Sequence, residues 1–174
     1  MQTLEAIAKR KSTRSYKPEK ISEDALQTIL KAAFAAPVAM GNYDSLHLTV
    51  VEDPALLDRV NTAAGEMVFR MLGARKNTDF GAKTLILVSS TPVHRPGTDH
   101  ANAGIVVENM VLAATAMGID SVILGAAPAA VAQDLELMKA LEIPEGYTPL
   151  LGAFLGYGAE DTPAKTHVIS VNRV

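Results

Sequence analysis

Within seven consecutive positions, Arg10-Lys11-Ser12-Thr13-Arg14-Ser15-Tyr16, the chain places three cations and three aliphatic hydroxyls. Arginine presents paired N–H donors in one plane, lysine a compact charge and serine a short donor, so a phosphate could accept several charge-assisted hydrogen bonds there. The same residues also read as a solvated basic helix end, because cations favour the negative end of the helix dipole. Other chemistries have less to rest on. There is no G-x-x-x-x-G-K-[ST], and Gly152-Ala-Phe-Leu-Gly156-Tyr-Gly158 departs from the G-x-G-x-x-G order. His47, His94, His100 and His167 show neither H-x-x-x-H nor H-E-x-x-H spacing, which argues against a metal site. Ser89-Ser90 lies outside any G-x-S-x-G context, and no carboxylate pair stands out as a general acid and base.

Composition narrows the field further. The 174 residues, with 16 Lys+Arg against 19 Asp+Glu and a net charge of −3, predict one domain over residues 1–174 that buries its core without metal or disulfide staples. A weakly acidic chain offers no field for nucleic acid or anionic lipid. The absence of cysteine removes disulfides, a thiol nucleophile, Cys-ligated zinc and iron–sulfur clusters, and fits a reducing cytoplasm. No apolar signal run opens the chain and no stretch approaches the roughly 18 apolar residues of a membrane span, so a soluble cytoplasmic protein without membrane contact is expected.

These chemical groups need elements to carry them. A short helix over residues 4–9 precedes a loop over 12–17, and Ile21-Ser22-Glu23-Asp24 opens a second helix, with Ser22 as N-cap and Leu26, Ile29, Leu30 and Ala33 as its apolar stripe. Pro37 stops that helix and Gly41-Asn42 turns the chain into a strand over 46–51. Asp53-Pro54 caps a helix reaching about residue 64, while 65–80 reads equally as helix or lid. Residues 84–89 suit a buried central strand, and short strands are expected over 121–125 and 150–155, with a helix over 131–141 between them. The stretch 99–117 is apolar on nearly every face, with Asn102 and Asn109 seven apart; one small subunit can hardly surround such a helix, which predicts a homodimer. The tail Val168-Ile169-Ser170-Val171 has strand character. The order is not a regular βαβ series, so the fold class is α+β, a sheet with helices on its faces.

The basic segment resembles the R-[RK]-S-x-R-x-[FY] opening of the nitroreductase family, dimeric flavoproteins that hold FMN at the subunit interface. The resemblance continues in order through Ala35-Ala36-Pro37, Gly41-Asn42, Phe80-Gly81-Ala82 and the Ala-rich helix ending at Gly118, then Leu124-Gly125-Ala126 and Gly156-Tyr157-Gly158 with Lys165. It implies a three-layer α-β-α sandwich around a central mixed, mainly antiparallel sheet, in an intertwined homodimer. It further implies that Arg10, Lys11, Ser12 and Arg14, with Lys165 and His167, hold the FMN phosphate and ribityl chain. Pro37, Val38, Ala39, Met40 and Asn42 would approach the flavin ring from the other subunit, and Leu124 and Gly125 would lie by its reactive edge. Four positions depart from the family pattern: Val38, Asp44, Lys83 and His167.

The activity so implied is a ping-pong oxidoreduction in which NADH or NADPH reduces FMN and a small electron-poor acceptor, such as a nitroaromatic or quinone, is reduced in turn. The flavin carries that chemistry, so no catalytic side chain is expected. Met67, Phe69, Arg70, Met71 and Arg75 are candidates for an adaptable acceptor wall, or for a helix packing into the core. A specialised dehalogenation or dehydrogenation, or flavin binding without turnover, are the alternatives on the same fold.

Overall fold

The computed structural model describes residues 1–74, 77–92, 95–161, 163–164 and 167–174. Among the described residues, ten elements follow one another as α1 (Thr3–Lys9), α2 (Glu23–Phe34), β1 (Leu46–Val51), α3 (Pro54–Leu72), β2 (Thr84–Ser90), α4 (Thr98–Ala116), β3 (Asp120–Leu124), α5 (Ala126–Ala132), α6 (Leu135–Ala140) and β4 (Thr148–Gly156). Two 3₁₀ turns, Ala39–Gly41 and Tyr43–Ser45, link α2 to β1.

Helix starts follow local capping chemistry. The side chains of Ser22, Asp53 and Asp134 each accept a backbone N–H three residues on, satisfying donors that the first helical turn leaves unpaired. Helix α3 runs through Gly65 to Leu72 and stops where Gly73 turns left-handed at φ 71°, so the undecided stretch is helical in its first half. The single helix expected over 131–141 is two short ones: Pro128 sits within the first turn of α5, where a missing N–H costs nothing, and Asp134 caps a new start.

The four strands lie in the order β1-β2-β4-β3, and every neighbouring pair is antiparallel. Among the described residues, the expected mixed character is confined to one isolated parallel bridge, Ser12 to Ser121. All seven residues of β2 are buried, as a central strand with both faces covered requires. Alternation divides them: Leu85 and Leu87 enter one core with α3, α5 and α6, while Ile86 and Val88 enter another with α2 and α4. Helices on both faces of the sheet make the three layers. On α4, seven residues including Asn102, Val107 and Met110 are buried by the chain's own elements, leaving Ile105 39% exposed, so self-burial of this helix goes further than its sequence suggests. The tail residues 168–171 form no strand within the chain, and Val168 is 95% exposed. Among the described residues, no helix is long and apolar enough to cross a membrane.

Candidate functional site

The basic segment is sewn into the sheet rather than hung from it. Arg10 closes α1 by donating its N–H to Ala6 O at 2.9 Å, and the chain then turns across the start of β3, where Thr13 N–H bonds to Ser121 O at 2.9 Å. Further on, Tyr16 N–H donates to Phe80 O, Lys17 N–H to Tyr157 O, and Ala159 N–H to Ser15 O. The segment thus lies between the start of β3 at Ser121, the residues that follow β4 and the turn at 79–81. That turn is itself fixed from α3: Asn61 Oδ1 accepts from Thr78 N–H, Thr78 Oγ1 and Asp79 N–H, and Phe80 and Gly81 both adopt positive φ.

Charge in this cradle is incompletely balanced. Among the described residues, neither Arg10 nor Arg14 forms an ion pair, and Arg14 donates only to Ser12 O at 3.3 Å; Lys11 reaches Asp161 at 3.9 Å. The hydroxyls of Thr13 and Ser121, both buried, have no hydrogen-bond partner among the described residues. Two guanidiniums without a carboxylate partner among the described residues, within one short segment that also carries Lys11, are a donor set that fits an anionic group. Tyr16 is buried beneath, and burial, reinforced by the Asp120 carboxylate, pushes its phenol far above the ordinary tyrosine range, so it stays protonated. Asp120 itself packs directly over Gly158.

Leu124 and Gly125 stand at the opposite end of β3 from Ser121, about 10 Å along the strand at the usual rise. Gly125 also begins α5 as its N-cap. His167 lies exposed in the tail, and Lys165 and Arg75 fall outside the described residues.

Residues 37–42 form a separate group. Val38 is 8% exposed and its side chain is taken up by its own subunit, while Pro37, Ala39 and Asn42 are exposed and Met40 projects fully into solvent with a left-handed backbone, φ 59°. This loop packs on the N-terminal part of α4, where Asn102 bonds to Ala39; the basic segment packs at the other end, where Lys11 and Thr115 line a common cavity of about 310 Å³. Asn102 and Thr115 are thirteen residues apart on α4, roughly 20 Å along the axis. One chain therefore does not bring the two expected halves of the site together.

Of the acceptor-wall candidates, Met67 packs into the core and Met71 is exposed, which divides the two readings of that helix between its own residues. Sequence reasoning passed over Asp120, Ser121 and Asn61, whose roles depend on partners far along the chain. Among the described residues no group of three or more His, Asp or Glu converges to hold a metal.

A sandwich of this topology with an N-terminal basic cradle is matched by the family model described as the nitroreductase family, over residues 7–157. The chain belongs to the nitroreductase family. A relative from Archaeoglobus fulgidus, provisionally named an NADH dehydrogenase/NAD(P)H nitroreductase, is 32% identical over 167 residues, covering 91% of this chain and 86% of its own. Among solved structures, a nitroreductase with bound FMN from Desulfitobacterium hafniense superposes with a TM-score of 0.85 at 28% identity, covering 100% of this chain and 99% of that one. Another with bound FMN, from Bacteroides fragilis, gives 0.83 at 27% identity, covering 100% and 97%. The nitroreductase fold thus spans the whole chain.

Proposed function

We propose that this nitroreductase-family chain is an FMN-dependent oxidoreductase that works as a homodimer, drawing electrons from NADH or NADPH to reduce a small electron-poor acceptor such as a nitroaromatic or quinone. The observation that carries the reading is that Arg10 and Arg14, four residues apart in a segment bonded into the sheet, have no carboxylate partner among the described residues. The FMN held by the Desulfitobacterium and Bacteroides relatives supports it.

When bound, FMN would supply the redox chemistry between a nicotinamide dinucleotide and the acceptor. The chain's part is binding, orientation and exclusion of water. Arg10, Lys11, Ser12 and Arg14, with Lys165 and His167 from the tail, hold the phosphate and ribityl chain. The backbone at Leu124 and Gly125 borders the ring, where N–H donors favour negative charge on it. Pro37, Val38, Ala39, Met40 and Asn42 would approach the ring from the second subunit.

The roughly 20 Å between the two groups along α4 supports the dimer, since a site needing both must draw them from two copies. So do the apolar surfaces that one chain leaves open: the tail with Val168, Ile169 and Val171, and a groove of about 360 Å³ between α2 and the edge strand β1.

The experiment is the visible absorption spectrum of the purified protein, with the heat-released ligand identified by mass, followed by anaerobic titration with NADH and NADPH. A flavin spectrum with the mass of FMN, bleached by a dinucleotide, is the expected result. Colourless protein that also fails to bind added FMN overturns the reading.

A further inference from the structure

Helix α4 carries two asparagines seven residues apart, which places them two turns apart on the same side, and both leave the helix to grip backbone elsewhere. Asn109 Nδ2 donates to Ala32 O near the end of α2 at 3.1 Å. Asn102, only 3% exposed, accepts the Ala39 N–H at its Oδ1 at 3.1 Å across 63 positions of sequence. Ala39 opens a 3₁₀ turn whose N-cap, Val38, offers no side-chain acceptor. An N–H at such a start needs a partner, and Asn102 supplies it from another element.

The rest of the loop is tied at other points. Tyr43 Oη donates to Ala36 O, Ser45 Oγ to Asn42 O, and Tyr147 Oη to Asp44 O at 2.6 Å. Met40 and Gly41, both at positive φ, form the tip of a turn closed on itself, with Gly41 N–H donating to Val38 O at 2.9 Å and Asn42 N–H to Ala39 O at 3.3 Å. Among the described residues, the Asn102 bond is the hydrogen bond that joins this turn to α4, so releasing Ala39 would let the turn shift as a unit against the helix. The loop also walls an open groove of about 550 Å³ whose floor includes Ala101 and Ile105 of α4.

We propose that Asn102 is a positioning residue: its Oδ1 holds the Ala39 N–H and so sets residues 37–42, Met40 above all, against the flavin of the partner subunit. This rests on the reading that the loop borders the flavin. Asn102 does not touch the ring; it acts through Ala39.

The test compares wild type with N102L, N102A, N102D and N109L in two measurements: amide exchange over residues 37–42 without added cofactor, and the visible circular dichroism and dinucleotide-driven reduction rate at saturating FMN. Both N102L and N102A speed exchange at Ala39 about tenfold, the loss of one protecting hydrogen bond. Both also change the flavin dichroism and slow reduction. In N102D a carboxylate oxygen accepts the same N–H, so exchange and dichroism stay within about twofold of wild type. N109L loses a bond of similar length in α2 but leaves Ala39 held, so its flavin signals do not move. The inference is overturned if the N102L and N102A exchange, or their flavin dichroism and reduction rate, match wild type, if N102D behaves like them, or if N109L gives the same changes. Wild-type protein that binds no FMN overturns the functional reading and the flavin half of this inference, while the exchange result still decides whether Asn102 holds the loop.

Discussion

The carboxylate of Asp120 lies directly over the backbone of Gly158, so close that a β-carbon at 158 would fall on one of its oxygens. This contact locks the first residue of β3 against the chain leaving β4, and Tyr16 bridges to Gly158 on the same side. Substituting Gly158→Ala should therefore push the Asp120 carboxylate into another rotamer, lowering stability by about 0.5–1.5 kcal/mol, and weaken FMN retention by disturbing the basic segment. Denaturant unfolding checks it. The double variant G158A/D120A should recover much of the loss, because residues in contact are not additive; an additive result would mean the two do not meet.

Arg10 and Arg14 have no carboxylate partner among the described residues, so their removal takes little from the fold. Each of R10A and R14A should weaken FMN binding about 10- to 100-fold, the range of one charge-assisted hydrogen bond, with unchanged far-ultraviolet dichroism. Fluorescence titration with FMN measures this, and affinity like that of wild type in both variants would remove the phosphate role.

Tyr16 predicts a pH dependence. Burial, with the Asp120 charge adding, raises its phenol well above the ordinary tyrosine range, and its hydroxyl has no hydrogen-bond partner among the described residues. Above pH 10 the unfolded chain releases this proton while the folded chain keeps it, so the folded state binds more protons and stability falls as pH rises. Below pH 10 both states hold the proton and the contribution is fully present. Y16F should flatten the alkaline fall, and near neutrality it should be neutral or slightly stabilising because it deletes an unpaired buried hydroxyl. Denaturant midpoints on either side of that pH decide it.

Asp134 is the residue that divides α5 from α6. Its side chain accepts the Leu137 N–H at 2.9 Å, and D134A should cost about 1 kcal/mol as the loss of one N-cap. Replacement by Ser, which retains an acceptor, should restore most of it. Thermal unfolding of the three proteins provides the comparison.

Much of the fold could be read from neighbours along the chain. Ser22 and Asp53 announce their helices because a cap acts three residues away, and the unbroken apolar run of β2 announces a strand buried on both sides. The basic run from Arg10 to Arg14 could be recognised as a candidate site for the same reason: its chemistry lies within a few consecutive positions. The second half of α3 could not, since a glycine in mid-helix and mixed exposure blur the period, and neither could the break before α6, where the pattern continued but the cap prevailed.

What local sequence could not contain is pairing across distance. That Ser121 meets Thr13, that Asp120 covers Gly158 and that Asn102 reaches Ala39 follow from strand register and helix packing, which join residues scores of positions apart. The separation of the basic segment from residues 37–42 is of the same kind. Both motifs are visible in the amino-acid order, yet their place at opposite ends of α4 is set by the core that forms around that helix, because burial of apolar surface acts on the whole chain at once and not on any one stretch of it.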